Sequence, residues 1–108
     1  MKHLVAVALA LGTLAAQVSA AEPEFQLVIT NHRFEPAELK VPINQRIKLV
    51  VLNKDSTPEE FESHSLNREK VIPGGAKAVI YIGPLKAGRY EFFGEYNEST
   101  AKGAVIAD

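Results

Sequence analysis

From Phe25 to Ala107 the chain is a series of short apolar runs, rich in Val, Ile and Phe, interrupted by Pro, Gly, Asn or Asp at intervals of about 8–15 residues. No stretch of this region carries the periodicity of an amphipathic helix. Punctuation of this kind leaves no length for a helical bundle or for βαβ crossovers. It predicts an all-β fold, a Greek-key β-sandwich of six to eight short strands.

The strands differ in clarity. Arg46–Asn53 is the plainest, and Phe25–Thr30 and Ala76–Ile82 share its β-branched character. Phe34–Pro42 carries two prolines and reads as an edge or extended segment, with Leu39 and Val41 alternating against Glu38 and Lys40. Glu59–Leu66 has large apolar residues only at Phe61 and Leu66, so it fits either a frayed strand or a polar turn. Asn67–Ile72 is a short segment stopped by Pro73-Gly74-Gly75. The chain ends in a strand from Gly88, a polar loop containing Tyr96, and a closing strand around Val105 and Ile106. Asn53 and Asp55 read as turn formers that bond their own backbone, and His32 as an exposed turn residue.

The first twenty residues stand apart. Lys2 gives a positive start, Leu4 to Ala16 is apolar and uncharged, and Val18-Ser19-Ala20 has the small residues a signal peptidase requires. The apolar run is shorter than the roughly 20 residues of a membrane-spanning helix. Residues 1–20 are therefore expected to be a signal peptide cleaved near Ala20 or Ala21, leaving a single domain over 21–108 in the periplasm. Taking Lys2 from the 12 basic residues leaves 11 against 13 acidic, a formal charge of −2. That interspersed, slightly acidic surface offers no footprint for nucleic acid.

The chain contains no cysteine. A domain of about 88 residues must then hold together by packing alone, without the disulfides common in small exported domains. Thiolate nucleophiles, redox pairs and zinc–thiolate sites are excluded together. There is no Ser-His-Asp constellation and no phosphate-binding glycine loop, since Pro73-Gly74-Gly75 and Gly83-Pro84 are turn chemistry. An enzymatic role is not indicated.

The order Phe34-x-Pro36, Val41-Pro42, Asn53-x-Asp55, Pro73-Gly74-Gly75, Gly88-x-Tyr90-x-Phe92 and Gly103-x-Val105 resembles the cupredoxin fold over nearly all of residues 24–107. Within it, the chain is most similar to the small periplasmic EfeO-type cupredoxin-like domains of bacterial iron uptake. Blue-copper members hold copper with two His, a Cys and usually a Met. The resemblance puts the first His at Glu59 or Glu60, the Cys at Gly94, the second His at Asn97 and the Met near Ala101. All of these positions depart from the pattern, so a type 1 copper centre is not expected.

The same resemblance brings a set of oxygen donors together. Glu60 and Glu62 share one side of an extended segment, and His64 continues that side if the extension persists. Glu95 and Glu98 belong to the closing loop, which the fold brings towards Glu60. In the resembling group, an acidic residue beside an aromatic, followed by Arg-Glu and a Pro-Gly turn, contributes to a metal site. The matching residues here are Glu60-Phe61-Glu62, Arg68-Glu69 and Pro73-Gly74. The expected site is thus Glu60, Glu62, His64 and Glu95, holding iron or copper for an inner-membrane iron permease and a periplasmic iron-binding protein. A metal-free interaction module and a ferrous-iron oxidase subunit are the alternatives.

Overall fold

The computed structural model describes residues 22–108, so the expected signal peptide and its cleavage point lie outside the described residues. Nine strands form two sheets: β1 (Glu24–Thr30), β2 (Arg33–Glu35), β3 (Glu38–Val41), β4 (Ile47–Asn53), β5 (Glu59–Ser63), β6 (Arg68–Ile72), β7 (Lys77–Ile82), β8 (Gly88–Gly94) and β9 (Lys102–Ala107). One sheet has the order β2-β1-β4-β7 and the other β3-β9-β8-β5-β6. Between β8 and β9 the chain makes one 3-10 turn, Glu95–Asn97. The expected all-β sandwich is the observed architecture.

The strand count exceeds the six to eight expected, and the reason lies in Phe34–Pro42. That segment is two strands rather than one. Pro36 has no N–H to give a ladder, and on either side of it the chain pairs with different sheets: β2 runs antiparallel to β1, and β3 runs parallel to β9. Glu59–Leu66 likewise divides into strand β5 and a turn beginning at His64. Each reading of that segment fits one half of it.

β4 is central in its sheet, parallel to β1 and antiparallel to β7, which explains why its sequence is apolar almost throughout. Leu27, Ile29, Ile47, Leu49 and Val51 face Phe61, Ile72, Phe92 and Val105 across the sandwich, all at most 1% exposed. Between the sheets, Phe34 meets Phe92 edge-on at 4.9 Å, and Phe92 stacks on Phe61 at 5.1 Å. Gly103 is required by this cluster: a Cβ there would lie 2.5 Å from Cζ of Phe92.

The loops at one end are tied by short polar side chains. Asn31 and His32 have φ of 52° and 57°, the geometry of a two-residue hairpin turn. Their amides donate to the two carboxylate oxygens of Asp55 at 2.8 and 2.9 Å. Asp55 therefore caps a turn more than twenty residues away rather than its own. The His32 amide, then that of Asn31, holds its carboxyl below the usual range. Asn53 is fully buried: its Oδ1 accepts from the Asp55 amide, while its Nδ2 donates to the carbonyls of Thr57 and Ile72. These contacts fix the entry to β5, on which the candidate residues sit.

Candidate functional site

Successive side chains of β5 point to opposite faces of its sheet. Glu59, Phe61 and Ser63 turn inward and are buried, while Glu60 and Glu62 turn outward and are half-buried. The two faces carry carboxylates in very different surroundings.

On the inner face, Glu59 is 1% exposed, an unusual place for a glutamate. Its Oε1 accepts from the amides of Glu60 and Tyr96, both at 2.9 Å, and its Oε2 accepts from Nδ2 of Asn97 at 2.7 Å. Gly94 stands directly against it. A Cβ at Gly94 would lie 2.5 Å from Cδ of Glu59, 2.6 Å from its Oε2 and 2.7 Å from Cβ of the buried Ala101. Glu59, Gly94, Asn97 and Ala101 therefore converge on one point. Of the two candidates for the first ligand position, Glu59 is the one that stands with the other three.

This donor set does not fit a type 1 copper ion. Such a centre requires a thiolate and two imidazoles. Here the chain has no cysteine, Gly94 offers no side chain, Ala101 is apolar, and the Asn97 amide donates to a carboxylate that fills the space between them.

On the outer face, Glu60, Glu62 and Glu95 each place a carboxylate oxygen within 4.8 Å of the others. Glu69 joins them, because the β5–β6 register sets it directly opposite Glu62. Like charges opposed across strands repel. Among the described residues no lysine or arginine forms a salt bridge with any of the four; the bridges present tie Glu22, Glu24, Glu38 and Glu91. The crowding raises the pKa of Glu60, first through loss of hydration and then through the charges of Glu95 and Glu69. Glu62 is also raised, by loss of hydration, a hydrogen bond shared with Glu95 and the charge of Glu69. Three or four oxygens that resist carrying their full negative charge together suit a small cation.

His64 does not join this group. β5 stops at Ser63, whose Oγ donates to the Glu91 carbonyl at 2.6 Å and accepts from the Leu66 amide. The chain then turns through Asn67, at φ 56°, and His64 is left exposed with its ring 5.6 Å from that of Phe93. The extension that was to carry its imidazole beside Glu62 ends one residue too early. Glu98 is exposed on the closing loop, beside a groove that also involves Arg89, Glu91 and Lys102, and stands outside the group.

Two residues named in the sequence only through the resemblance gain their places here. Glu69, part of the Arg68-Glu69 match, is set opposite Glu62 by the register of the β5–β6 hairpin, whose turn ends at Asn67. Glu59 is one of two positions offered for the first ligand, and nothing in a run of three nearby glutamates marks it as the buried one.

The comparisons agree with the architecture. The model of the Cupredoxin-like domain family matches residues 3–107. An uncharacterized protein of Rickettsia prowazekii (strain Madrid E) is 41% identical over 85 residues, covering 79% of this chain and 68% of that protein. The solution structure of a copper binding protein in its apo form superposes with a TM-score of 0.71 at 19% identity, covering 85% of this chain and 93% of the other. Auracyanin A, a blue copper protein from Chloroflexus aurantiacus, superposes with a TM-score of 0.69 at 10% identity, covering 82% and 100% of the two chains. At these identities the two superpositions establish a shared fold.

Proposed function

This chain belongs to the cupredoxin-like domain family, and from that premise we propose that it handles a metal ion through its outer carboxylates rather than through a blue-copper centre. The observation that carries this reading is the convergence of Glu60, Glu62 and Glu95 within 4.8 Å, with Glu69 opposite Glu62 and no basic partner among the described residues. The ion is cargo on this reading, held in an open, oxygen-only site on the face of a sheet. Oxygen ligands favour iron, manganese or calcium over copper(I), which prefers thiolate or thioether. Iron fits the proposed membership of the EfeO-type group, in which the protein, exported to the periplasm, passes the ion to an inner-membrane permease or a periplasmic iron-binding protein. The copper-binding fold neighbours keep copper(II) among the cargoes to be compared.

Calorimetric titration tests the proposal. Anaerobic Fe(II), and separately Cu(II), are expected to bind wild type at micromolar to sub-millimolar concentrations, weakening at least about tenfold in Glu60→Gln/Glu62→Gln. His64→Ala is expected to leave the affinity unchanged. Binding no tighter than millimolar, or affinity indifferent to the double substitution, would overturn the reading.

A second reading, a metal-free interaction module, is favoured by one observation: the Glu59 carboxylate fills the space between Gly94, Asn97 and Ala101, the positions to which the resemblance assigns the other copper ligands. On that reading the sandwich survives as a scaffold for a periplasmic or membrane partner. The same titration separates the two.

A further inference from the structure

β5 and the loop between β8 and β9 are far apart in sequence and meet at the end of the sandwich. A bound metal would ordinarily cross-link two such segments, drawing ligands from both. Here the N–H donors of the loop that reach a β5 side chain all converge on one carboxylate. Glu59 Oε1 receives the Tyr96 amide and Oε2 receives the Asn97 side chain, while the Glu60 amide on its own strand holds the carboxylate in place. Within the loop the Gly94 amide donates to the Ala101 carbonyl, and the amides of Thr100 and Ala101 donate to the Asn97 carbonyl. The loop is thus closed on itself and fastened to β5 through Asn97 and Tyr96.

We infer that the Glu59 carboxylate is an internal substitute for the metal: an anionic latch that orders the closing loop in the metal-free protein and occupies the point where a copper ion would sit. Three features support it. Glu59 is 1% exposed, and three donors satisfy both of its carboxylate oxygens. A buried carboxylate is retained only when donors replace the water it loses. Gly94 admits the latch, because any side chain at that position would occupy the carboxylate's own volume. Asn97, which would be an unremarkable polar residue in an exposed turn, points its amide inward at 2.7 Å, a charge-assisted distance.

The inference makes the copper site and the latch mutually exclusive. A thiolate at residue 94 cannot be built while Glu59 is present, and a loop fastened by Glu59 needs no metal to be ordered.

Amide hydrogen exchange on the metal-free protein tests the latch. In Glu59→Ala the Tyr96 amide is expected to lose protection at least tenfold, with Ala101 following, while amides in β1 and β4 change only as global stability changes. Should Glu59→Ala not fold, Asn97→Ala removes a single tie from the half-exposed side and is expected to loosen the same loop to a smaller degree. Glu59→Gln is expected to recover most of the protection, since its carbonyl oxygen still accepts from both amides. Unchanged Tyr96 exchange in Glu59→Ala, or in Asn97→Ala where Glu59→Ala does not fold, would overturn the latch. The placement has its own test. The combined variant Glu59→His/Gly94→Cys/Asn97→His/Ala101→Met is expected to bind Cu(II) with an intense thiolate charge-transfer band in the visible. A folded variant without that band would overturn the placement. Both tests concern the inner face and stand whether or not the outer carboxylates bind a cation.

Discussion

Glu59 and Glu60 are neighbours in sequence and share one strand, yet the sandwich gives them opposite environments. Glu59 faces inward, loses its water and gains three N–H donors, so its charge is answered by dipoles. Glu60 faces outward, keeps part of its water and gains other carboxylates as neighbours, so its charge is opposed. One is a completed structural contact and the other an incomplete site. The pleat of the strand produces the difference, and residue type alone does not reveal it. The comparison also separates two questions the family resemblance had joined. The inner face explains why a blue-copper centre does not fit this chain, and the outer face carries carboxylates that no lysine or arginine among the described residues pairs.

The contrast can be broken first at Gly94. Its φ of −96° is open to any residue, so the cost of a side chain there is steric. Gly94→Ala is expected to lower stability by about 1–3 kcal/mol, because the added methyl must displace the Glu59 carboxylate or Ala101 in a packed interior. Chemical denaturation measures it. A neutral result would mean that the inner face is looser than its contacts require.

A smaller effect sharpens the outer face. Glu60 and Glu62 take up protons more readily in the folded chain than in the unfolded one. The instability they cause is therefore fully present above their raised folded pKa, and it disappears as pH falls below the unfolded carboxylate value. Asp55 acts in the opposite sense: its stabilisation is present above the unfolded value and is lost as pH falls through its lowered folded pKa. Between neutral pH and the ordinary carboxylate range, wild type is expected to gain on Glu60→Gln/Glu62→Gln as acid is added. Melting temperatures of the two proteins as a function of pH report it. A constant gap between the curves would show that these carboxylates are not in conflict.

The sandwich was legible because strand periodicity and turn residues act locally: β4 announces itself in Ile47–Asn53, and Pro73-Gly74-Gly75 marks the end of β6. The division of Phe34–Pro42 between two sheets was not, since pairing partners are set by the rest of the chain. For the outer face, alternation was enough to put Glu60 and Glu62 together, and the resemblance supplied Glu95. His64 stands outside the cluster of Glu60, Glu62 and Glu95 because alternation holds only while the strand lasts, and Ser63 ends it by bonding the Leu66 amide and the Glu91 carbonyl. The role of Glu59 was hidden because its partners Tyr96 and Asn97 lie 37 and 38 residues away, and one of them contributes only a backbone amide.

The most direct test compares two single substitutions one residue apart, by thermal melting of the metal-free protein at neutral pH. Glu59→Ala is expected to cost about 3 kcal/mol or more, a fall of at least about 10 °C for a domain of this size. Glu60→Ala is expected to melt at or above the wild-type temperature, because it removes a charge from a crowded face. Equal shifts in the two variants, or a large fall in Glu60→Ala, would contradict the division of labour between the two faces of β5.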